Sequence, residues 1–166
     1  QKTIMASGVV PQIAAVMGPA AGGSASLACL ADFVFMTKEA SGLYMSAPSV
    51  IKGKTGIEID AKDLGGAMAN AEKSGNCHVV CEDDASLIAA VKNLLSYLPA
   101  NNLEDAPIVE TDDVNRLSEA LEGDAPVDIK TTLAEIADAG SVFELGAFYS
   151  RSIVTALARV GGTTIG

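Results

Sequence analysis

A chain of 166 residues that is 49% hydrophobic and only 4% aromatic, with no Trp, holds enough apolar material for one packed domain or part of a larger one, which excludes global disorder. Its net charge of -10 argues against nucleic acid or an anionic membrane as the main partner. Nine acids and one base, Arg116, between 104 and 128 carry -8 of that charge, which leaves about -2 for everything else.

The chain starts with QKTIMASG, which reads as the tail of a helix. Residues 3 to 31 carry no charge, but Pro11, Gln12, Pro19 and four glycines interrupt them, so no apolar run reaches the ~18 residues of a membrane span. A buried strand and a buried helix explain the stretch better. Pro11 to Gly18 has strand character, and Gly22 to Asp32 reads as a helix leaving a glycine turn. Phe33 to Met36 and Leu43 to Met45 are apolar runs of strand length, and 60 to 73 reads as helical despite Gly65-Gly66. A strand is expected at Cys77 to Cys81. Asp84 then suits the N-cap of the helix ASLIAAVKNLLSYL, which Pro99 and Asn101-Asn102 end.

Strands alternating with helices imply right-handed βαβ units and a largely parallel sheet. From about residue 103 the character changes. Pro107, the acidic stretch, Gly123 and Pro126 read as a linker with one short helix around Val114 to Leu121. A helix at 131 to 138 and strands at Val142 to Leu145 and Ser152 to Val160 would open a new unit. The division is therefore 1–106, an acidic linker at 107–128, and 129–166, within a fragment of a larger polypeptide. No secretory signal is visible and three scattered cysteines make no disulfide framework, so a cytoplasmic location is the default.

The most informative stretch is VMGPAAGGSAS, Val16 to Ser26. Two glycines between a strand and a helix let the backbone approach a ligand closely, because no Cβ intervenes. The first N–H groups of the helix lack intrahelical partners and lie at the positive end of its dipole. Together they suit an oxygen on which negative charge develops. Tight strand–helix packing needs glycine for the same steric reason and stands as the bland alternative. A phosphate loop competes poorly, since Gly18 and Gly23 have the spacing but Ser24 replaces the lysine. A nucleophilic Ser24 or Ser26 is weak as well: GGSAS lacks the second glycine of an elbow, and His78 is the only histidine.

Cys77, His78 and Cys81 invite a metal reading. In a strand the two cysteines lie ~13 Å apart on one face with His78 on the other, too far to converge on zinc. No metal is expected, and a structural hydrogen bond suits His78 better. Lys52 and Lys54 flank a glycine and could attract phosphates, although exposed lysines are usually just solvated.

The run SGVVPQIAAVMGPAAGGSA (Ser7 to Ala25) with ADFVFM (Ala31 to Met36) resembles the carboxyltransferase subunits of propionyl-CoA carboxylase and methylmalonyl-CoA decarboxylase. APSVIKGKTG (Ala47 to Gly56), DLGGAMAN (Asp63 to Asn70), SGNCH (Ser74 to His78), LLSYLPANN (Leu94 to Asn102) and EIADAGSVFEL (Glu135 to Leu145) follow in the same order. The resemblance implies an α/β, crotonase-like superhelix of ββα turns, present here in part. Residues 1–106 would belong to the N-terminal carboxyltransferase domain and 129–166 would begin the C-terminal one.

It further implies transfer of a carboxyl group between carboxybiotin and the α-carbon of a short acyl-CoA. Gly22 and Gly23 would supply an oxyanion hole for the thioester, with Ala21, Ser24, Lys52 and Lys54 as substrate-binding candidates. The implied partners are a biotin carboxyl carrier protein, biotin carboxylase or membrane decarboxylase subunits, and further copies of the same chain. Amide stabilisation of an enolate needs no side-chain base, which agrees with the shortage of histidine. The sequence departs from the family pattern at Ala25 to Ala28, at Ala47 where a Gly is usual, and at Asn70 where a His is usual. These departures leave open a non-catalytic assembly subunit of the same fold. A crotonase-fold serine peptidase is the remoter alternative.

Overall fold

A computed structural model describes residues 1–111, 117 and 128–166 of the chain. Its first half is a repeating pattern of two short strands and a helix. After α1 (Lys2–Ala6) come β1 (Ile13–Val16), β2 (Pro19–Ala21) and α2 (Gly23–Cys29). The second repeat is β3 (Phe33–Thr37), β4 (Gly42–Tyr44) and α3 (Pro48–Thr55), followed by α4 (Ala61–Gly65), α5 (Ala67–Ala69) and a π-helical turn at Asn70–Ser74. The third has β5 (Val79–Cys81) and α6 (Asp84–Leu95).

Each repeat adds a strand to a growing sheet. β1, β3 and β5 form one parallel sheet, with Ile13 opposite Phe33 and Phe35 opposite Val79. β2 and β4 form a second parallel pair, with Ala21 opposite Tyr44. Parallel strands cannot be joined by tight turns, so each repeat must return through its helix. The alternation read from the sequence is what enforces this topology.

β3 is central and buried on both faces, which explains its continuous apolar run. Val34 and Met36 enter a cluster with Val16, Ala25, Leu43, Ala67, Ala71 and Cys77, and Phe35 turns to the other side to join Cys81, Leu87 and Leu94. The first cluster is built largely of small residues, which brings α2 and the α4–α5 segment close to the sheets.

Two expected boundaries need correction. The N-cap of α6 is Asp83 and not Asp84: its carboxylate accepts the Ser86 N–H at 2.8 Å, while the Ser86 hydroxyl accepts the Asp83 N–H at 3.0 Å, a reciprocal capping box. The helix expected over 60 to 73 is interrupted at Gly66, whose extended backbone (φ -66°, ψ 171°) separates α4 from α5.

Beyond α7 (Ile129–Ile136), β6 (Phe143–Leu145), β7 (Thr155–Val160) and β8 (Thr163–Ile165) form an antiparallel sheet. Phe143 and Leu157 pack on the Phe35 cluster. The Arg159 guanidinium lies 3.9 Å from the centre of the Tyr97 ring and donates to the Ser96 carbonyl at 3.0 Å. The Tyr97 hydroxyl donates to the Ser141 carbonyl at 2.8 Å. A cation at the C-terminal end of α6 also complements the helix dipole. The short helix expected around Val114 to Leu121 falls, Leu117 apart, outside the described residues.

Candidate functional site

The glycine turn grows directly out of the β2–β4 pairing. One residue beyond the Ala21–Tyr44 pair, the Gly22 N–H donates to the Tyr44 carbonyl at 3.1 Å and extends the ladder. Gly22 then adopts φ 60° and ψ -121°, which turns the chain sharply into α2. Only glycine takes such a conformation without strain. A Cβ at Gly22 would meet nothing nearer than the Met45 carbonyl at 3.7 Å, so conformation and not space selects glycine there.

The two glycines divide the work. The Gly22 amide is engaged by Tyr44. The first hydrogen bond of α2 runs from the Ser26 N–H to the Gly22 carbonyl at 3.0 Å, so the N–H groups of Gly23, Ser24 and Ala25 precede it and have no partner inside the helix. Around Gly23 a Cβ would find nothing within 4 Å. The turn therefore presents an open main-chain surface with donors at a helix start.

Ala21 and Ser24 lie in this turn with the glycines. The exposed Ser24 hydroxyl donates to the Ala21 carbonyl at 2.9 Å, and the Ser26 hydroxyl donates to the Gly22 carbonyl at 3.3 Å. Both hydroxyls serve local backbone and neither rests on a base. A groove of about 570 Å³ runs beside the turn between β1, β2 and α2, with Ala14, Val16, Gly18, Ser24 and Leu27 along it.

Lys52 and Lys54 lie on α3. Both sit in the last turn of α3, whereas Met45, whose carbonyl approaches Gly22, precedes the first turn of that helix. Lys52 pairs with Glu58 at 2.8 Å on an exposed surface, and among the described residues Lys54 forms no ion pair.

Cys77, His78 and Cys81 each have a structural place. The Cys77 thiol donates to the Val79 carbonyl at 3.3 Å, and burial pushes its pKa up to about 12. Burial also raises Cys81, with the Asp83 charge adding to it. His78 Nδ1 accepts the Val34 N–H at 2.9 Å, and partial burial holds its pKa below the ordinary histidine value. An Nδ1 that accepts must be unprotonated, so the neutral ring carries its proton on Nε2. Among the described residues no three histidines, cysteines or acids gather as metal ligands.

The Tyr44 carbonyl is the member of the site that sequence reasoning missed. It acts through main chain, so its side-chain identity gives no signal. The available clue was the strand-length run Leu43 to Met45 following the glycine turn in a βαβ pattern.

The family model described as carboxyl transferase domain matches residues 1–166. The methylmalonyl-CoA decarboxylase subunit alpha of Veillonella parvula is 43% identical, the alignment covering 97% of this chain and 33% of that protein. The methylmalonyl-CoA carboxyltransferase 12S subunit of Propionibacterium freudenreichii subsp. shermanii is also 43% identical, over 96% of this chain and 32% of its own length. The crystal structure of the transcarboxylase 12S hexamer with hydrolysed methylmalonyl-coenzyme A bound superposes with a TM-score of 0.91 at 42% identity, covering 99% of this chain and 34% of that one. The chain thus spans about a third of the length of these relatives.

Proposed function

The chain belongs to the carboxyl transferase domain family and has its crotonase-like fold, and we propose that it forms part of a subunit that moves a carboxyl group between carboxybiotin and the α-carbon of a short acyl-CoA. The observation that carries this reading is the divided glycine turn. Gly22 fixes the direction of the chain through Tyr44, and Gly23 stands exposed at the start of α2, where its N–H precedes the first hydrogen bond of the helix. A thioester oxygen placed there gains charge as the α-carbon loses its proton or its carboxylate. A preformed amide donor stabilises that charge by roughly 3 kcal/mol.

Biotin on a partner protein, when bound, would supply the carbon dioxide in its carboxylated form or take it up in its free form. This chain's own residues bind and orient the thioester. Ala21 and Ser24 border the oxygen site, with the Ser24 hydroxyl held back by the Ala21 carbonyl. Lys54, and Lys52 once released from Glu58, are cations for the phosphates of the coenzyme. An exposed pair of this kind contributes at most about 1 kcal/mol and is easily exchanged.

The domain division at 107–128, with 129–166 opening a second carboxyltransferase domain, belongs to the same proposal. So do assembly with further copies of the chain, a biotinylated carrier and biotin carboxylase or membrane decarboxylase subunits as partners, and a cytoplasmic setting. No helix among the described residues is long and apolar enough to cross a membrane.

The test is acyl-CoA binding and carboxyl transfer by the full-length protein with Gly23→Val, whose branched side chain enters the open side of the turn. We expect the fold to persist and turnover to fall by about two orders of magnitude, the usual loss for one oxyanion donor. Unchanged affinity and turnover would remove the oxyanion role. Absence of carboxyl transfer in the unmodified protein, given a carboxybiotin donor, would support the non-catalytic assembly subunit instead.

A further inference from the structure

Behind β4, on the edge away from β2, the backbone of Gly65 and Gly66 lies against the strand. Gly66 forms an antiparallel bridge with Gly42, and a Cβ at Gly65 would fall 2.4 Å from the Leu43 carbonyl oxygen. One side chain closes this contact. Asn70 is 6% exposed, and its Nδ2 shares two protons among the carbonyls of Gly65 at 2.8 Å, Gly66 at 3.2 Å and Leu43 at 3.2 Å. The Ser74 hydroxyl shares its proton between the Asn70 main-chain carbonyl at 3.1 Å and Asn70 Oδ1 at 3.3 Å. Three acceptors on one side and a donor on the other fix which way the amide faces. The residue opens the π-helical turn Asn70–Ser74, a form that recurs at functional positions.

Successive carbonyls of a strand point to opposite edges. The Leu43 carbonyl therefore faces Asn70, and the next one, on Tyr44, faces β2 and takes the Gly22 N–H at 3.1 Å. Asn70 and Gly22 hold adjacent peptide units of the same three-residue strand. We propose that Asn70 is a positioning residue: by pinning the Leu43 carbonyl it sets the Tyr44 carbonyl, and with it the direction in which the glycine turn aims the Gly23 amide. The inference rests on the oxyanion reading of that turn, and it makes the π-helical turn part of the site's support.

The experiment compares the full-length protein with Asn70→Asp, Asn70→His and Gly23→Val variants, by amide hydrogen exchange over residues 13–37 and by steady-state carboxyl transfer. Asn70→Asp places an acceptor among three carbonyls. It should speed exchange at Gly22 by about tenfold and lower kcat by a similar factor, with KM for acyl-CoA within about threefold. Asn70→His keeps one N–H donor and should recover at least half of the lost kcat. Gly22 exchange and kcat within about twofold of the unmodified protein in Asn70→Asp would overturn the proposal, as would faster exchange spread evenly over β1 to β3. If Asn70→Asp does not fold, exchange in Asn70→His decides: Gly22 unchanged there overturns the coupling, and selective loosening supports it. Loss of turnover in Gly23→Val alone removes only the role of Asn70. Full turnover in Gly23→Val removes the oxyanion reading itself, while exchange at Gly22 still decides whether Asn70 holds the turn.

Discussion

The Gly22 N–H and the Tyr44 carbonyl form a 3.1 Å hydrogen bond that joins the last rung of the β2–β4 ladder to the start of α2. Its consequence is that the two adjacent glycines are required for different reasons. At Gly22 the backbone has φ 60°, and Gly22→Ala should destabilise by about 1–3 kcal/mol through conformational strain. At Gly23 a Cβ meets nothing and no positive φ is needed, so Gly23→Ala should leave stability unchanged or raise it by up to about 1 kcal/mol. Denaturant unfolding of the two variants checks this. Equal destabilisation by both would show that packing, and not turn geometry, selects the pair.

Gly65 gives a sharper steric expectation. A methyl group there would sit 2.4 Å from the Leu43 carbonyl oxygen and 2.9 Å from the Tyr44 ring. The oxygen is backbone in a paired strand and has nowhere to go. Gly65→Ala should therefore cost about 3 kcal/mol or more, and it should disturb the glycine turn, because the displaced strand is the one that holds Gly22. A thermal unfolding midpoint within a degree of the unmodified protein's would refute the close approach.

Much of this arrangement was legible in the sequence, and the exceptions share a cause. β3 and α6 are marked by apolar patterning, which places β3 to within one residue and the start of α6 to within one, whereas α6 ends at Leu95, three residues before the Leu98 that the pattern suggests. The glycine turn was visible because strand, Gly-Gly and helix follow in order. β2, β8 and α3 were not foreseen. The two strands are three residues each, too short for alternation to register, and α3 has little apolar periodicity to reveal it. The partners that aim the site are the Tyr44 carbonyl and the Gly65–Gly66 backbone. They act through main-chain atoms, which the identity of a residue does not encode. Asn70 stood out in the sequence only as a departure from a usual His, with nothing to show that it bonds three carbonyls. The docking of β6–β8 through Arg159 and Tyr97 joins residues 62 positions apart and has no local signature.

His78 is the only histidine, which makes its titration readable in isolation. Its Nδ1 accepts the Val34 N–H, so protonation would remove a hydrogen bond of the central strand. Burial holds its folded pKa below the unfolded value of about 6.5. The unfolded chain then binds the proton more readily, so His78 contributes stability that is whole above about pH 6.5 and declines as the pH falls toward the folded pKa. Unfolding free energies measured between about pH 7 and 5.5 should decline in the unmodified protein and stay level in His78→Gln. A parallel decline in both would assign the loss to other groups.

The cysteines should separate by reactivity. The thiolate is the nucleophile in alkylation, and it is this form that burial suppresses at Cys77, whose pKa is pushed up to about 12. Against an ordinary thiol near 8.5, that lowers the reactive fraction at pH 8 by on the order of a thousandfold, before any loss of access is counted. Cys81 is shifted the same way by burial and by Asp83, whereas Cys29 lies exposed at the end of α2. Iodoacetamide followed by peptide mass mapping should therefore modify Cys29 alone in the native protein, and all three cysteines after denaturation. Labelling of Cys77 at the rate of Cys29 under native conditions would mean that the cluster between the sheets opens readily. That opening would expose Val34 and Met36, and with them the β3 strand on which the site is built.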